Sequence, residues 1–290
     1  MKTISIIGSN SFLAKNFIQY CTDEKLDYKL KLYDQKKACN DKTTNIIDFD
    51  DLNSIGKIDF NVDIIMIFIG KTGVLQDIQN YIEYIHVNEV IFLNILSTYV
   101  LKKSNAKIIY PSSRLIFKSN NYGKVFEDSE IECKSVYAVT KWASENYLKV
   151  FANLYDIKYN ILRICTTFGT LIESKGTYGT FEMLVRQAID NKEIVLFGDG
   201  KQVKTFTHLE DICLAFKKLI DAKETIYKDY NLGGQQLSML DMASYISKKY
   251  DVNIKFIEWP KNYKLVDGGS VVFDSSRFDN EFHMQYKVIL

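Results

Sequence analysis

The 290-residue chain has no charge excess: 37 lysines and arginines face 36 aspartates and glutamates, a net charge of +1. The lysines are scattered among acids, so no field is present that would draw in nucleic acid or an anionic membrane surface. Long apolar runs are missing too. The longest uniform one, Ile64 to Ile69, has six residues, far below the roughly 18 of a membrane span. The N-terminus passes from Lys2 straight into strand-like Ile4 to Ile7, without the features of an export signal, and a cytoplasmic location is the expectation. Cysteine pairs are lacking: Cys21, Cys39, Cys133, Cys165 and Cys213 are an odd number with no Cys-x-x-Cys, which suits reduced thiols better than a disulfide framework. His86, His208 and His283 are the only histidines and join no Cys/His cluster, so no metal site is expected; His86 reads as a helix-surface or core residue. There is no internal repeat and no low-complexity linker. With 47% hydrophobic residues, a chain of this length can bury a full core.

What is present is organised around Ser135-Val136-Tyr137-Ala138-Val139-Thr140-Lys141. It places a phenol and an ammonium four residues apart, on one face of a helix expected from Val136 to Tyr155. Nearby positive charge lowers a phenol's pKa, which lets Tyr137 exchange a proton near neutral pH, where an unperturbed tyrosine at about 10 does so poorly. Spacing alone does not single it out, because Tyr33/Lys37, Tyr99/Lys103 and Tyr245/Lys249 repeat it. The segment upstream does: the apolar strand Lys107-Ile108-Ile109-Tyr110-Pro111 runs into Ser112 and Ser113, and ligands of open α/β sheets sit at such carboxyl ends. Near the N-terminus, Thr3 to Ile7 has a buried-strand pattern, followed by Gly8-Ser9-Asn10-Ser11-Phe12-Leu13-Ala14 and a helical period through Phe17, Ile18 and Cys21. That is the context for a dinucleotide-binding turn, with an ordinary tight turn as the other reading. The strand from Tyr28 to Tyr33 ends in Asp34, where an acid accepts hydrogen bonds from an adenosine ribose and repels a 2′-phosphate, favouring NAD over NADP. Lys36 and Lys37 would reverse that preference by folding back onto a phosphate.

Ser113, Tyr137 and Lys141 resemble, in order and spacing, the catalytic Ser/Thr, Tyr and Lys of the extended short-chain dehydrogenase/reductase (NAD-dependent epimerase/dehydratase) family, especially its nucleotide-sugar branch. The resemblance runs from Gly8 to Arg277. It implies an α/β fold, a Rossmann-type doubly wound parallel sheet with a smaller C-terminal α/β substrate-binding lobe: residues 1–165 for the cofactor domain and 166–290 for the lobe, with some later segments returning to the first. It also implies cofactor contacts from Gly8, Asn10, Ser11, Phe12 and Leu13, although Ser11 and Ala14 stand where the family has glycine. Asp34 would hold the ribose, and Asp48-Phe49 would lie at the adenine, with Asp48 reading equally as the cap of a helix from Leu52. Ile69, Gly70 and Lys71 would approach the riboses, Gly70 matching a small family residue and Ile69 departing from one; Ser112, Tyr137 and Lys141 complete the set. Asn88, in a helical stretch from Gln76 to Lys103, matches a buried family asparagine of structural role.

For the substrate, the resemblance points to Thr166, at a position where the family usually has asparagine. It also points to Lys204, within Gly198-Asp199-Gly200 to Asp211, and to Lys264 and Asp267. Both cations are arginines in the family; lysine keeps the charge but not the planar fork. Lys204 and Lys264 are expected to read a diphosphate from two sides of a cleft between the lobes. The stretch at Gly198-Asp199-Gly200 also reads as a hairpin turn before a capped helix; a loop from Gly176 to Gly179 and a helix from Phe181 to Asn191 precede it. Arg114-Leu115 stands where 4,6-dehydratases have Asp-Glu, and Arg114 where fucose-synthase relatives have a cysteine, so a double epimerisation has no visible proton carrier. The leading expectation is an NAD(P)-dependent 4-keto-(6-deoxy)sugar reductase acting on a nucleoside-diphosphate sugar. A nucleotide-sugar 4-epimerase with retained NAD is the alternative, and a non-catalytic dinucleotide-binding sensor stands third. NADP in place of NAD, and a homodimer, belong to the same set of expectations.

Overall fold

The computed structural model describes residues 1–37, 43–73, 78–120, 123–172, 179–267 and 269–288; the expectations at Cys39, Gln76 and Gly176 lie outside them. The elements run β1 (Lys2–Ile7), α1 (Phe12–Asp23), β2 (Tyr28–Asp34), β3 (Asn45–Ile46), α2 (Leu52–Ile55), β4 (Ile64–Ile67), α3 (Tyr81–Ile85), a π turn (His86–Val90), α4 (Ile91–Leu101) and β5 (Lys107–Ser113). After a 3₁₀ turn (Arg114–Ile116) come β6 (Lys124–Val125), α5 (Val136–Tyr155), β7 (Tyr159–Ile164), β8 (Thr166–Phe168), α6 (Thr180–Asp190), β9 (Glu193–Phe197), β10 (Val203–His208) and α7 (Leu209–Asp221). The chain continues with β11 (Asp229–Asn231), β12 (Gln235–Ser238), α8 (Met239–Tyr250), β13 (Asn253–Ile257), α9 (Lys261–Asp267), β14 (Val272–Phe273) and α10 (Ser276–Phe282).

The chain divides into two compact units: Met1–Ser112 with Ser135–Leu162 and Phe216–Asp229, and Ser113–Lys134 with Arg163–Ala215 and Tyr230–Leu290. The seven-stranded sheet has the order β11-β7-β5-β4-β1-β2-β3, and the pairs of β1 with β2 and β4, of β2 with β3 and of β4 with β5 are parallel. This is the doubly wound α/β architecture that the sequence predicts. β4 is buried along its whole length, as a strand covered on both faces must be. Strand order reverses between β1 and β4, so their carboxyl ends flank the crevice at which such sheets take ligands.

α3, the π turn and α4 run on as one helical stretch, Tyr81–Leu101, long and apolar enough by length and composition to cross a membrane. Its Tyr84, Asn88, Ile91, Ile95 and Tyr99 are nevertheless buried; their spacing is the helical period that turns one face to a core. Ile91, Phe92, Ile95 and Leu96 pack with Ile65, Ile67 and Ile108 of the sheet and Leu148 of α5, each contributing about 1.5–3 kcal/mol by leaving water. α5 spans the predicted residues because Ser135 Oγ accepts from Ala138 N (3.1 Å) at its start and Asp156 adopts the left-handed conformation at its end. One cap is corrected. Asp51, not Asp48, caps α2, accepting from Asn53 N (2.9 Å), while Asp48 accepts from Asp50 N within its own turn.

In the second unit β10 pairs antiparallel with β12 and parallel with β8, whereas β9 pairs parallel with β13. The hairpin reading of Gly198-Asp199-Gly200 is therefore wrong. The chain does turn there, with both glycines at positive φ, but its flanking strands belong to different sheets. Ile194 and Leu196 of β9 share one core with Leu184 and Ala188 of α6, Met242 and Ile246 of α8 and Phe206 of β10, so β9 and β10 meet through side chains and not through a ladder.

Candidate active site

At the end of β1, Gly8 has φ +85° and its amide, with that of Ser9, donates to Tyr33 O. A Cβ at Gly8 would come within 2.7 Å of Ile69 N, so only glycine lets the turn and the end of β4 approach this closely. Ser11 serves as the N-cap of α1, its Oγ accepting from Ala14 N (3.3 Å), and Ala14 is fully buried. The two departures from glycine are thus accommodated: one caps the helix, the other packs under it. Phe12 and Leu13 open α1.

Asp34 Oδ2 accepts from Asn10 N (2.9 Å) and Oδ1 from Lys36 N, while Asn10 Nδ2 donates to Lys36 O. The acid expected to meet a ribose therefore also fixes the turn, and each carboxylate oxygen keeps a further lone pair for a ligand. Gly8, Asn10, Ser11, Asp34, Phe49, Ile69 and Gly70 line a cleft of about 270 Å³. Ser112 Oγ, at the end of β5, is buried without a hydrogen-bond partner, an orphan that a ligand hydroxyl or phosphate would satisfy. The close-approach glycine, the acid at the end of β2 and the orphan hydroxyl fit a dinucleotide. Lys36 and Lys37 are exposed. NAD(H) is therefore expected to bind at least about tenfold more tightly than NADP(H), because like charges a few ångströms apart near a surface repel by more than that factor requires. Calorimetric constants for both cofactors check this, and the opposite order would hand the pocket to Lys36 or Lys37.

Asn88, placed by the π turn, is the junction of this unit. Its Oδ1 accepts from Lys71 N (2.7 Å), and its Nδ2 donates to Lys71 O (3.1 Å) and Thr140 Oγ1 (2.8 Å); Thr140 Oγ1 in turn donates to Tyr137 O (3.0 Å). One amide thus ties the loop after β4 to the first turn of α5. π turns recur at functional sites because they rotate one residue out of the helical register. Lys71 Nζ pairs with Glu83 at the surface.

Tyr137 and Lys141 lie on the first two turns of α5, Tyr137 half-buried and Lys141 buried. Burial pushes the Lys141 ammonium down to about 7, against the attraction of Glu145. Its Nζ donates to Tyr110 Oη (2.7 Å) and Pro111 O (2.8 Å), both on β5. Two of the three pairs with the same spacing have other work: Tyr33 Oη accepts from Asp59 N and Tyr99 Oη donates to Ala106 O. Ser113, the last residue of β5, accepts from Leu115 N (3.2 Å) and caps the 3₁₀ turn, which leaves its own hydroxyl hydrogen to donate.

In the second unit, Thr166 begins β8 and Lys204 lies in β10; both are buried. Burial pushes the adjacent Cys165 thiol up, opposed by the charges of Arg114 and Lys204, so both cations lie close to the start of β8. Lys264 is exposed on α9, and Asp267 is the last residue of that helix. Among the described residues no group of His, Cys, Asp or Glu has the arrangement of a metal site. The sequence reading passed over Tyr110 and gave Arg114 only the role of a missing acid. A hydroxyl on a buried strand reads as core, and a cation next to Ser113 gives no sign of its distant neighbours.

A family model described as "NAD dependent epimerase/dehydratase family" matches residues 4–233. The putative UDP-glucose 4-epimerase of Methanocaldococcus jannaschii is 27% identical over 202 residues, 69% of this chain and 64% of that protein. The UDP-glucose 4-epimerase of Mycoplasma genitalium is 22% identical over 214 residues, 67% of this chain and 63% of its own. The match thus spans just under two thirds of these relatives. Among solved structures, the UDP-glucose 4-epimerase of Thermotoga maritima with UDP-glucose superposes with a TM-score of 0.85 at 17% identity, covering 99% of this chain and 94% of that one. The UDP-glucuronic acid 4-epimerase of Bacillus cereus, in complex with UDP-glucuronic acid and NAD, gives 0.83 at 21% identity with the same coverage. At such identities the likeness is one of fold. The family model, however, covers well over half of the sequence, and on that ground this chain belongs to the NAD dependent epimerase/dehydratase family.

Proposed function

We propose that the protein is a nucleoside-diphosphate-sugar 4-epimerase that keeps its NAD through the catalytic cycle. The observation that carries this reading is a dinucleotide cradle at β1 and β4 joined by Asn88 to the helix that bears Tyr137 and Lys141, in a chain with two relatives named as 4-epimerases. The reductase that leads the sequence reading uses the same residues. Lysines in place of arginines at 204 and 264 bear on how the substrate is gripped and not on the fate of the hydride.

NAD, held by Gly8, Asn10, Ser11, Asp34 and Ser112, would supply the hydride acceptor and donor for the sugar carbon. In this scheme Tyr137 takes the proton of the sugar 4-hydroxyl during oxidation and gives it back during reduction. Ser113 donates its hydroxyl hydrogen to the same sugar oxygen, and Lys141 supplies positive charge that favours the phenolate. The Lys204 ammonium pairs with the diphosphate, aided by Lys264, while Asp267 accepts from the substrate ribose, and Thr166 contacts the substrate. A charge-assisted hydrogen bond is worth roughly 1.5–3 kcal/mol, so Lys204→Met is expected to raise the substrate constant about 10- to 100-fold. NAD binding should stay unchanged, and the loss should shrink with added salt. An unaltered substrate constant would place the diphosphate elsewhere.

To separate the two readings, the purified protein is incubated with UDP-glucose and no added cofactor, and the NAD released on denaturation is measured. Formation of the 4-epimer with NAD bound as isolated supports the epimerase. Consumption of NADH or NADPH with a 4-keto-6-deoxy nucleotide sugar, and no epimer from UDP-glucose, would establish the reductase instead.

A further inference from the structure

Neither the cofactor cradle nor the Ser113, Tyr137 and Lys141 set makes use of Tyr110, yet Lys141 is bonded to it. Tyr110 is buried on β5, its ring 4.9 Å from that of Phe92. The Lys141 ammonium donates to its hydroxyl at 2.7 Å and lies 4.1 Å from its ring centroid. Two of the three ammonium donors therefore end on β5, at Tyr110 Oη and Pro111 O, leaving one to act elsewhere.

We propose that Tyr110 is a positioning residue for the acid/base pair: its hydroxyl anchors Lys141 to β5 and, by accepting from the ammonium, keeps that group charged in the pH range where Tyr137 exchanges its proton. Burial drives the ammonium toward the neutral amine and, opposed by Glu145, leaves its midpoint at about 7, so a single acceptor shifts which form prevails at pH 7. A phenol suits this task. Burial pushes the Tyr110 pKa up, so it stays an un-ionised acceptor that adds no second charge. Glu145, wholly buried one turn further along α5, also favours the charged lysine; it is 3.8 Å from Lys149, which pairs with Asp229 at 2.6 Å. Tyr137 and Glu145 are the groups that act by charge on the Tyr110 phenol, and the Ser144 hydroxyl lies beside it. From the π turn, Asn88 O accepts from Ser144 Oγ, and the charged group that this turn sets against α5 is Glu89, which accepts from Tyr147 Oη (2.8 Å).

The inference rests on the proposed function only for its turnover readout. Its first test needs no substrate: wild type, Tyr110→Phe and Tyr99→Phe are pulsed with acetic anhydride from pH 5 to 9, and acetylation of Lys141 is read by mass spectrometry. Loss of one acceptor is expected to lower the midpoint of Lys141 labelling in Tyr110→Phe by about one unit, a tenfold change in protonation. Tyr99→Phe should leave it in place, because that hydroxyl bonds to Ala106 O. An unmoved midpoint in Tyr110→Phe overturns the proposal. Phenylalanine keeps the ring packing; should the variant nonetheless fail to fold, wild type grown on 3-fluorotyrosine, whose phenol oxygen is a weaker acceptor, must show a lowered midpoint, and no shift there overturns the proposal as well. With UDP-glucose as substrate, Tyr110→Phe is expected to be about fivefold slower at pH 7 and to recover toward wild type below pH 6, where the ammonium refills. A loss equal at every pH would leave Tyr110 a packing role only and overturn the proposal. Wild type inactive on UDP-glucose would count against the proposed function, while the labelling midpoints would still decide the role of Tyr110.

Discussion

Tyr137→Phe is expected to bind NAD as the wild type does and to turn over about 10²- to 10⁴-fold more slowly, the usual share of general acid/base catalysis. The substitution removes one oxygen from a half-buried side chain on the first turn of α5. The turn itself should survive, because the contacts that hold it, from Ser135 Oγ to Ala138 N and from Thr140 Oγ1 to Tyr137 O, involve no atom of the phenol. Loss of turnover without loss of NAD affinity would therefore report chemistry and not folding. Tyr99→Phe is the contrasting case: its hydroxyl donates to Ala106 O inside the core, so its removal should cost about 1 kcal/mol of stability and leave turnover alone. Near-normal turnover in Tyr137→Phe would remove Tyr137 from the mechanism.

The extent to which this site was legible differs from residue to residue. α5 could be read to its last residue, because Ser135 is a cap by side-chain type and the apolar period runs without a break. The parallel sheet was legible in the same way, through continuous apolar runs such as Ile64–Ile67. What escaped reading depends on contacts between residues far apart in the chain. No residue type announces a π turn, so the amide of Asn88 could be called buried but not assigned to Lys71 and Thr140. Arg114, Cys165 and Lys204 come together from three separate segments, and no local pattern announces that. Gly198-Asp199-Gly200 has the composition of a hairpin, but β9 finds its partner in β13, about 60 residues later in the chain. The choice between reductase and epimerase was illegible for another reason. Both reactions pass a proton through the same phenol, and they differ in whether the cofactor leaves, which no side chain near Tyr137 encodes.

Replacing Lys141 by methionine is expected to abolish most turnover, again by about 10²- to 10⁴-fold, because the phenol then has no ammonium on its own helix face to favour its ionised form. The same variant should differ from wild type in how its stability changes with pH, and the sign follows from the two states of the lysine. In the unfolded chain the side chain titrates at about 10.4; in the folded chain burial has pushed it down to about 7. Below pH 7 both states hold the proton, so this group gives stability no slope. From pH 7 toward 10 the unfolded chain still binds a proton that the native state has released. Wild-type stability therefore gains from Lys141 as pH rises, by at most about 1.4 kcal/mol per unit. The methionine variant lacks this gain, and it leaves Tyr110 Oη and Pro111 O without their donor. Urea melts of both proteins at pH 6, 7, 8 and 9 should show a gap that is flat up to neutrality and then moves steadily in favour of wild type. A gap that stays constant to pH 9 would mean that Lys141 keeps its proton throughout. Its charge would then need no support from Tyr110, and the pH dependence of the site would have to originate in another group.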